Sequence, residues 1–217
     1  MCGRYALTSP PEVIAERFHL LWTPEIEPHH NIAPSQMIPV VRETGEGRAL
    51  AMLKWGLIPW WAKDAHIGMK LINARAETLG SKPAFRDAYH RRHCLVPADA
   101  FYEWKAVAGR KQPYCIRMRD QTVFGMAGLW ERWKDPSGEG VESCTIVTVD
   151  ANALVAQLHD RMPLILAPGD YDAWLAAGSG ELPRAVAAEE MVAYPVSPLV
   201  SNARNDVPAC LVPVDLP

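Results

Sequence analysis

The fold reading turns on PYCIRMRDQTVFGMAGL, residues 113–129. Two apolar runs, PYCIRM (113–118) and TVFGMAGL (122–129), flank three polar residues, and short runs rich in β-branched and aromatic residues read as strands. Working outward, similar runs lie at 143–149 (SCTIVTV), 49–55 (ALAMLKW) and 37–41 (MIPVV). Short helices are expected over 83–91, 151–158, 169–177 and 184–191. Ser9-Pro10-Pro11-Glu12 has the form of a capping box with proline in the first turn, so a helix is expected from about Pro10 to Leu20. The following TPEIEPHHNIAPSQ (23–36) reads as proline-broken loop. Strands outnumber helices and cluster in the middle of the chain. That pattern predicts an α+β fold: one domain over residues 1–217, with a curled, mostly antiparallel, barrel-like sheet flanked by short helices.

Composition narrows the function. The 217 residues carry a net charge of −3, so no global field draws the chain to nucleic acid and any such binding needs a local basic patch. No run of 18 apolar residues is present, and the first residues lack a signal-peptide pattern, so the expectation is a cytoplasmic protein without membrane contact. Five cysteines, an odd number without metal-finger spacing, argue against disulfides and structural zinc and for a reducing compartment. Nothing in the charge hints at oligomers, and a monomer is expected.

MCGRYALTSP opens the chain with a cysteine at position 2. A buried cysteine packs equally well elsewhere. Removal of Met1, however, would give Cys2 a free α-amine beside its thiol, both titrating near neutrality, with Arg4 close enough in sequence to lower the thiol further. Such a 1,2-aminothiol can attack an acyl group. It can also take an aldehyde as a Schiff base that the sulfur closes into a thiazolidine.

Four other stretches are unusual for plain core. In LINARAET, Asn73 and Arg75 share one strand face, which faces either a ligand or solvent. In PADAFYEWK, Glu103 sits between Tyr102 and Trp104. It is either a desolvated acid suited to proton transfer or an outward strand residue. In LHDRMPLIL, His159 is either a proton donor or a structural histidine, and Asp160 and Arg161 can pair across the turn. In KWGLIPWWAK, Trp60 and Trp61 would point opposite ways on an extended segment, one packing inward and one offering a stacking surface for an unpaired base. Lys70, Arg75, Lys82, Arg86, Arg91 and Arg92 cluster in sequence as a solvated face or a phosphate track.

Taken in order, MCGRYA, NIAPSQ (31–36), WGLIPWWAK (55–63), NARAET (73–78), PADAFYEW (97–104), IVTVDAN (146–152), HDRMPLIL (159–166) and VSPLVSNARND (196–206) resemble the SRAP family, the SOS-response-associated peptidase-like proteins. The chain departs from the family pattern at Ala100, where glycine often precedes the aromatic pair. The resemblance implies a single α+β domain with a barrel-like sheet and a basic groove for single-stranded DNA. It also implies covalent capture of abasic sites, shielding them during replication and repair, with the protein associating with the nucleoid during DNA damage. Cys2 would be the nucleophile, Asn73 would orient the amine or sugar, Glu103 would move protons, and His159 would assist sugar opening. Arg4, Arg75 and Arg86 would hold phosphates, Trp60 or Trp61 would stack, and Asn31, Pro34 and Thr148 would line the pocket. No cofactor or metal is implied. The partners are abasic single-stranded DNA and the replication machinery. Residue chemistry leaves two rivals open: an N-terminal-nucleophile amidohydrolase or autopeptidase on the same Cys2, and a non-catalytic single-strand-binding module.

Overall fold

The computed structural model describes residues 2–107, 109–135, 137–176 and 182–216. Thirteen strands are present in the described residues. They are β1 (Tyr5–Leu7), β2 (His29–Ile32), β3 (Met37–Thr44), β4 (Gly47–Trp55), β5 (Asn73–Arg75), β6 (His93–Ala98), β7 (Ala100–Val107), β8 (Arg110–Met118), β9 (Phe124–Lys134), β10 (Gly140–Asp150), β11 (Arg161–Pro163), β12 (Ile165–Leu166) and β13 (Met191–Pro195). The α-helices are α1 (Pro11–Phe18), α2 (Pro83–Arg91) and α3 (Tyr171–Leu175).

Two sheets form. One runs β13-β8-β7-β1-β2. The other runs β11-β10-β4-β3-β6-β9-β12, and a further β9–β10 pairing joins β10, β4, β3, β6 and β9 into a closed five-stranded ring. Closure leaves those five strands without a free edge. The expected barrel is thus present, and its pairings are antiparallel except at β10, where β4 and β5 both run parallel. β10 has two working halves. Its first half closes the ring against β9, and its second half carries β5 on one edge and β11 on the other. Residues on both faces of the ring, such as Val40, Leu53, Leu95, Ala127, Leu129 and Ile146, are fully buried and form the main core with Cys2, Tyr5, Ile14 and Phe18.

Several local expectations are corrected. The helix expected from Pro10 to Leu20 is shorter, ending at Phe18 with His19 in the left-handed region at φ 53°. Ser9 does not cap it. The Asp99 carboxylate instead accepts from the Thr8 and Ser9 amides and from the Ser9 hydroxyl, so a residue 90 positions away organises the helix entry. The segment 23–36 is not all loop, because β2 lies within it and pairs with β1. The expected helices at 151–158 and 184–191 reduce to single 3-10 turns at Val155–Gln157 and Ala188–Glu190. In the first, the Asn152 side-chain carbonyl accepts from the Leu154 and Val155 amides and caps the start of the turn. The expected helix over 169–177 is α3 within its described part, and its last position lies outside the described residues.

Candidate functional site

Cys2 lies where the two sheets meet. β1 pairs with β7 in the register Tyr5 opposite Phe101, and the Tyr102 amide donates to the Arg4 carbonyl at 3.0 Å. Continuing that register puts Glu103 across from Gly3, beside Cys2. From the other sheet, Asn73 Nδ2 donates to the Cys2 carbonyl at 2.8 Å. β5 can reach that point because its partner β10 has finished closing the ring when it meets Asn73 at Ile146.

Electrostatics links the remaining two groups. Cys2 is fully buried. Burial, followed by the negative charge of Glu103, pushes its thiol up to about 12. Burial also raises the Glu103 carboxyl, while nearby positive charge, His159 included, pulls it back. Asn73, Cys2, Glu103 and His159 therefore form one connected group. Glu103 is only 3% exposed, which favours the desolvated-acid reading over an outward strand residue. Asn73 Oδ1 is buried without a hydrogen-bond partner among the described residues, so that acceptor is left over for a bound molecule.

The thiol shift corrects one expectation. Arg4 does not lower the thiol through its side chain. Its guanidinium donates to Asn31 Oδ1 at 2.8 Å and to the Val200 carbonyl at 2.6 Å, and only its backbone N–H favours the thiolate. Asn31 is itself buried, and its Nδ2 donates to the carbonyls of Val200, Asn202 and Asn205. It is a latch between β2 and the C-terminal segment. Thr148 is fully buried beneath the Ala74 carbonyl and supports β5 from below. Pro34 is half-buried after β2. Arg75 and Arg86 are exposed, the latter 3.9 Å from Asp87.

The tryptophan pair differs from expectation. Both rings project, Trp60 at 58% and Trp61 at 44% exposure. The Ala62 amide donates to the Pro59 carbonyl at 2.9 Å, so the pair occupies the two central positions of a β-turn. Backbone that reverses there does not send alternate side chains to opposite faces. Trp60 Nε1 donates to Asp87 Oδ2 at 2.6 Å, which fixes its ring.

The sequence does not mark Arg161 as a brace, and the pair expected between it and Asp160 does not form. Its guanidinium takes both Glu77 oxygens at 2.8 and 3.0 Å, Asp150 at 2.6 Å and the Thr148 carbonyl at 2.6 Å. Its amide donates to His159 Nδ1 at 2.9 Å. One residue thereby ties the turn after Asn73 to the strand after His159. Nothing in the local pattern of HDRMP signals this, because the partners lie 84 and 11 positions away. Among the described residues no cluster of three metal-ligating side chains occurs, and no helix is long and apolar enough to cross a membrane.

Residues 1–203 match the family described as SOS response associated peptidase (SRAP). The chain is 42% identical over 218 residues to the abasic site processing protein YoqW of Bacillus subtilis, covering 96% of this chain and 97% of that one. It is 34% identical over 228 residues to the abasic site processing protein HMCES of Gallus gallus, covering 87% of this chain and 67% of that one. Its fold superposes on a crystal structure of a Bacteroides thetaiotaomicron protein with a TM-score of 0.87 at 26% identity, covering 98% of this chain and all of the other. A match across nearly the whole length, with the barrel and its second sheet in place, means that the chain belongs to the SRAP family.

Proposed function

We propose that this chain captures abasic sites in single-stranded DNA as a covalent adduct on Cys2, after removal of Met1. The carrying observation is the setting of Cys2, with its carbonyl held by Asn73 and its thiol within the field of a buried Glu103 that also feels His159. The names of the relatives, abasic site processing proteins, support the substrate. Met1 lies outside the described residues. While it is attached, the Cys2 nitrogen is an amide and the residue is fully buried, so the reading requires Met1 to leave.

The proton traffic follows from the raised acid. Protonated Glu103 and the His159 ring favour opening of the sugar hemiacetal to its aldehyde. The Cys2 amine adds to C1′, Glu103 donates a proton to the departing hydroxyl, and water leaves an iminium. The Glu103 carboxylate then takes the thiol proton as sulfur adds to the same carbon and closes the thiazolidine. Glu103 ends with the proton it gave, and one water is released overall. A thiol pushed up to about 12 makes the proton removal necessary at neutral pH. Holding sulfur three bonds from the reacting nitrogen gives the second attack a large effective concentration. Exposed Trp60, Trp61, Arg75 and Arg86 suit stacking and phosphate contact, without base identity. The adduct shields the lesion while the replication machinery deals with it, and the protein acts in the cytoplasm on the nucleoid as a monomer.

The peptidase rival would use the same Cys2 with the same neighbouring base, and differs in its electrophile, an acyl group in place of an aldehyde. Intact-mass analysis and a denaturing gel test the proposal. The mature protein should lack Met1 and should shift with an abasic oligonucleotide but not with an undamaged one. Cys2→Ala should lose the stable adduct while still giving a borohydride-trapped imine from the new terminal amine. A stable adduct of Cys2→Ala without reductant would sink the sulfur's role.

A further inference from the structure

A groove of about 410 Å³ lies between the end of α2 and β9, lined by Trp60, Asp87, Arg91, Arg92, Glu131 and Arg132. None of the residues around Cys2 takes part. Its acids are committed: Asp87 holds the Trp60 indole at 2.6 Å and Glu131 holds Arg92 at 2.6 Å. Arg91 and Arg132 are exposed, and neither guanidinium donates a hydrogen bond to another described residue. Arg91 ends α2, where a cation answers the helix's negative end. That accounts for Arg91 but not for Arg132, which arrives from β9 on the opposite wall. A fixed, exposed indole sharing a groove with two uncommitted guanidinium groups combines the stacking surface and the cationic contacts that hold single strands.

We propose that this groove is a second nucleotide subsite, taking an intact base of the bound strand against Trp60 and a phosphate between Arg91 and Arg132. The proposal deepens the single-strand reading above and rests on it. The volume falls in the range of about 300–1,000 Å³ typical of clefts that hold small ligands.

Fluorescence anisotropy of the whole protein with an undamaged dT oligonucleotide of about 12 nucleotides, across roughly 50 to 200 mM salt, tests it. The Arg91→Ala/Arg132→Ala double variant should lower the slope of log K against log salt by about 0.7, the value for one phosphate charge left unneutralised. Trp60→Ala should weaken binding about tenfold with its slope unaltered, since stacking releases no counterions. Thermal unfolding at the wild-type midpoint excludes misfolding of either variant. A wild-type slope in the double variant overturns the subsite. So does free dTMP that competes as well as the oligonucleotide, which would mark a pocket for loose nucleotides. If dT is not bound by the wild type, both readings fall. If dT is bound with the expected slopes but abasic DNA is never cross-linked, only the capture reading falls.

Discussion

At the scale of single residues, Glu103 is held in conflict with folding. Burial raises its pKa, so the folded chain prefers it protonated. Stability from this group is fully present below the ordinary carboxyl value near 4.5 and declines as pH rises through the raised folded value. Glu103→Gln should therefore raise the melting temperature at neutral pH by about 2–4 °C, on the order of 1 kcal/mol, with little gain at pH 4. The same change should slow capture by about 10²–10³-fold. It should also make capture climb with pH between about pH 7 and 9, because a thiol raised by burial must then ionise without a base beside it. Calorimetry and a pH series of capture rates read both effects. A flat profile in the variant would remove Glu103 from the sulfur step. The sequence showed Cys2, Asn73, Glu103 and His159 as candidates because each is a polar or nucleophilic residue in an unexpected setting. The partners of Arg161 and Asp99 were invisible, since they come from distant segments and no local period marks them.

At the scale of elements, the turn carrying Trp60 and Trp61 hangs from a pinch between two glycines. A Cβ on Gly68 would stand 2.5 Å from the Gly56 carbonyl oxygen, and Gly56 itself sits at φ +128°. The Leu57 and Leu71 backbones hydrogen-bond at 3.2 Å just beyond, closing the loop. Gly68→Ala must push two backbones apart, at a cost of about 1–3 kcal/mol and a melting temperature lower by about 3–10 °C. Gly45→Ala, with nothing within 4 Å, should stay within about 0.5 kcal/mol of wild type. If the two variants melt alike, the pinch is not a constraint. Elements with long apolar runs, β3, β4, β8, β9 and β10, were legible in the sequence because their burial imposes composition. β1 and β2 were not, being three and four residues long and defined only by the strands beside them.

At the scale of the molecule, the fold hides every thiol. Cys2, Cys94, Cys115, Cys144 and Cys210 are free and buried, and burial raises the pKa of the first four. Alkylation of the folded chain that keeps Met1 should be slow at neutral pH at all five, Cys2 included, and complete on denaturation. Quantitative peptide mass spectrometry over time checks this. Rapid native labelling of Cys2 in the Met1-bearing chain would contradict its burial. Barrel closure itself was only a tendency in the sequence, because the decisive β9–β10 seam is a register and registers depend on both partners.

The latch built on Asn31 reaches past the stretch that defines the family. The matched region ends at residue 203. Asn31 also grips the Asn205 carbonyl, and the Asp206 carboxylate takes the amides of His30 and Asn31 and the ring of His29. A chain trimmed to that boundary would keep every recognisable motif and still strand three donors beside the first strand. The tail is a clasp on the amino terminus, and cutting by motif would unfasten the end of the protein where the chemistry begins.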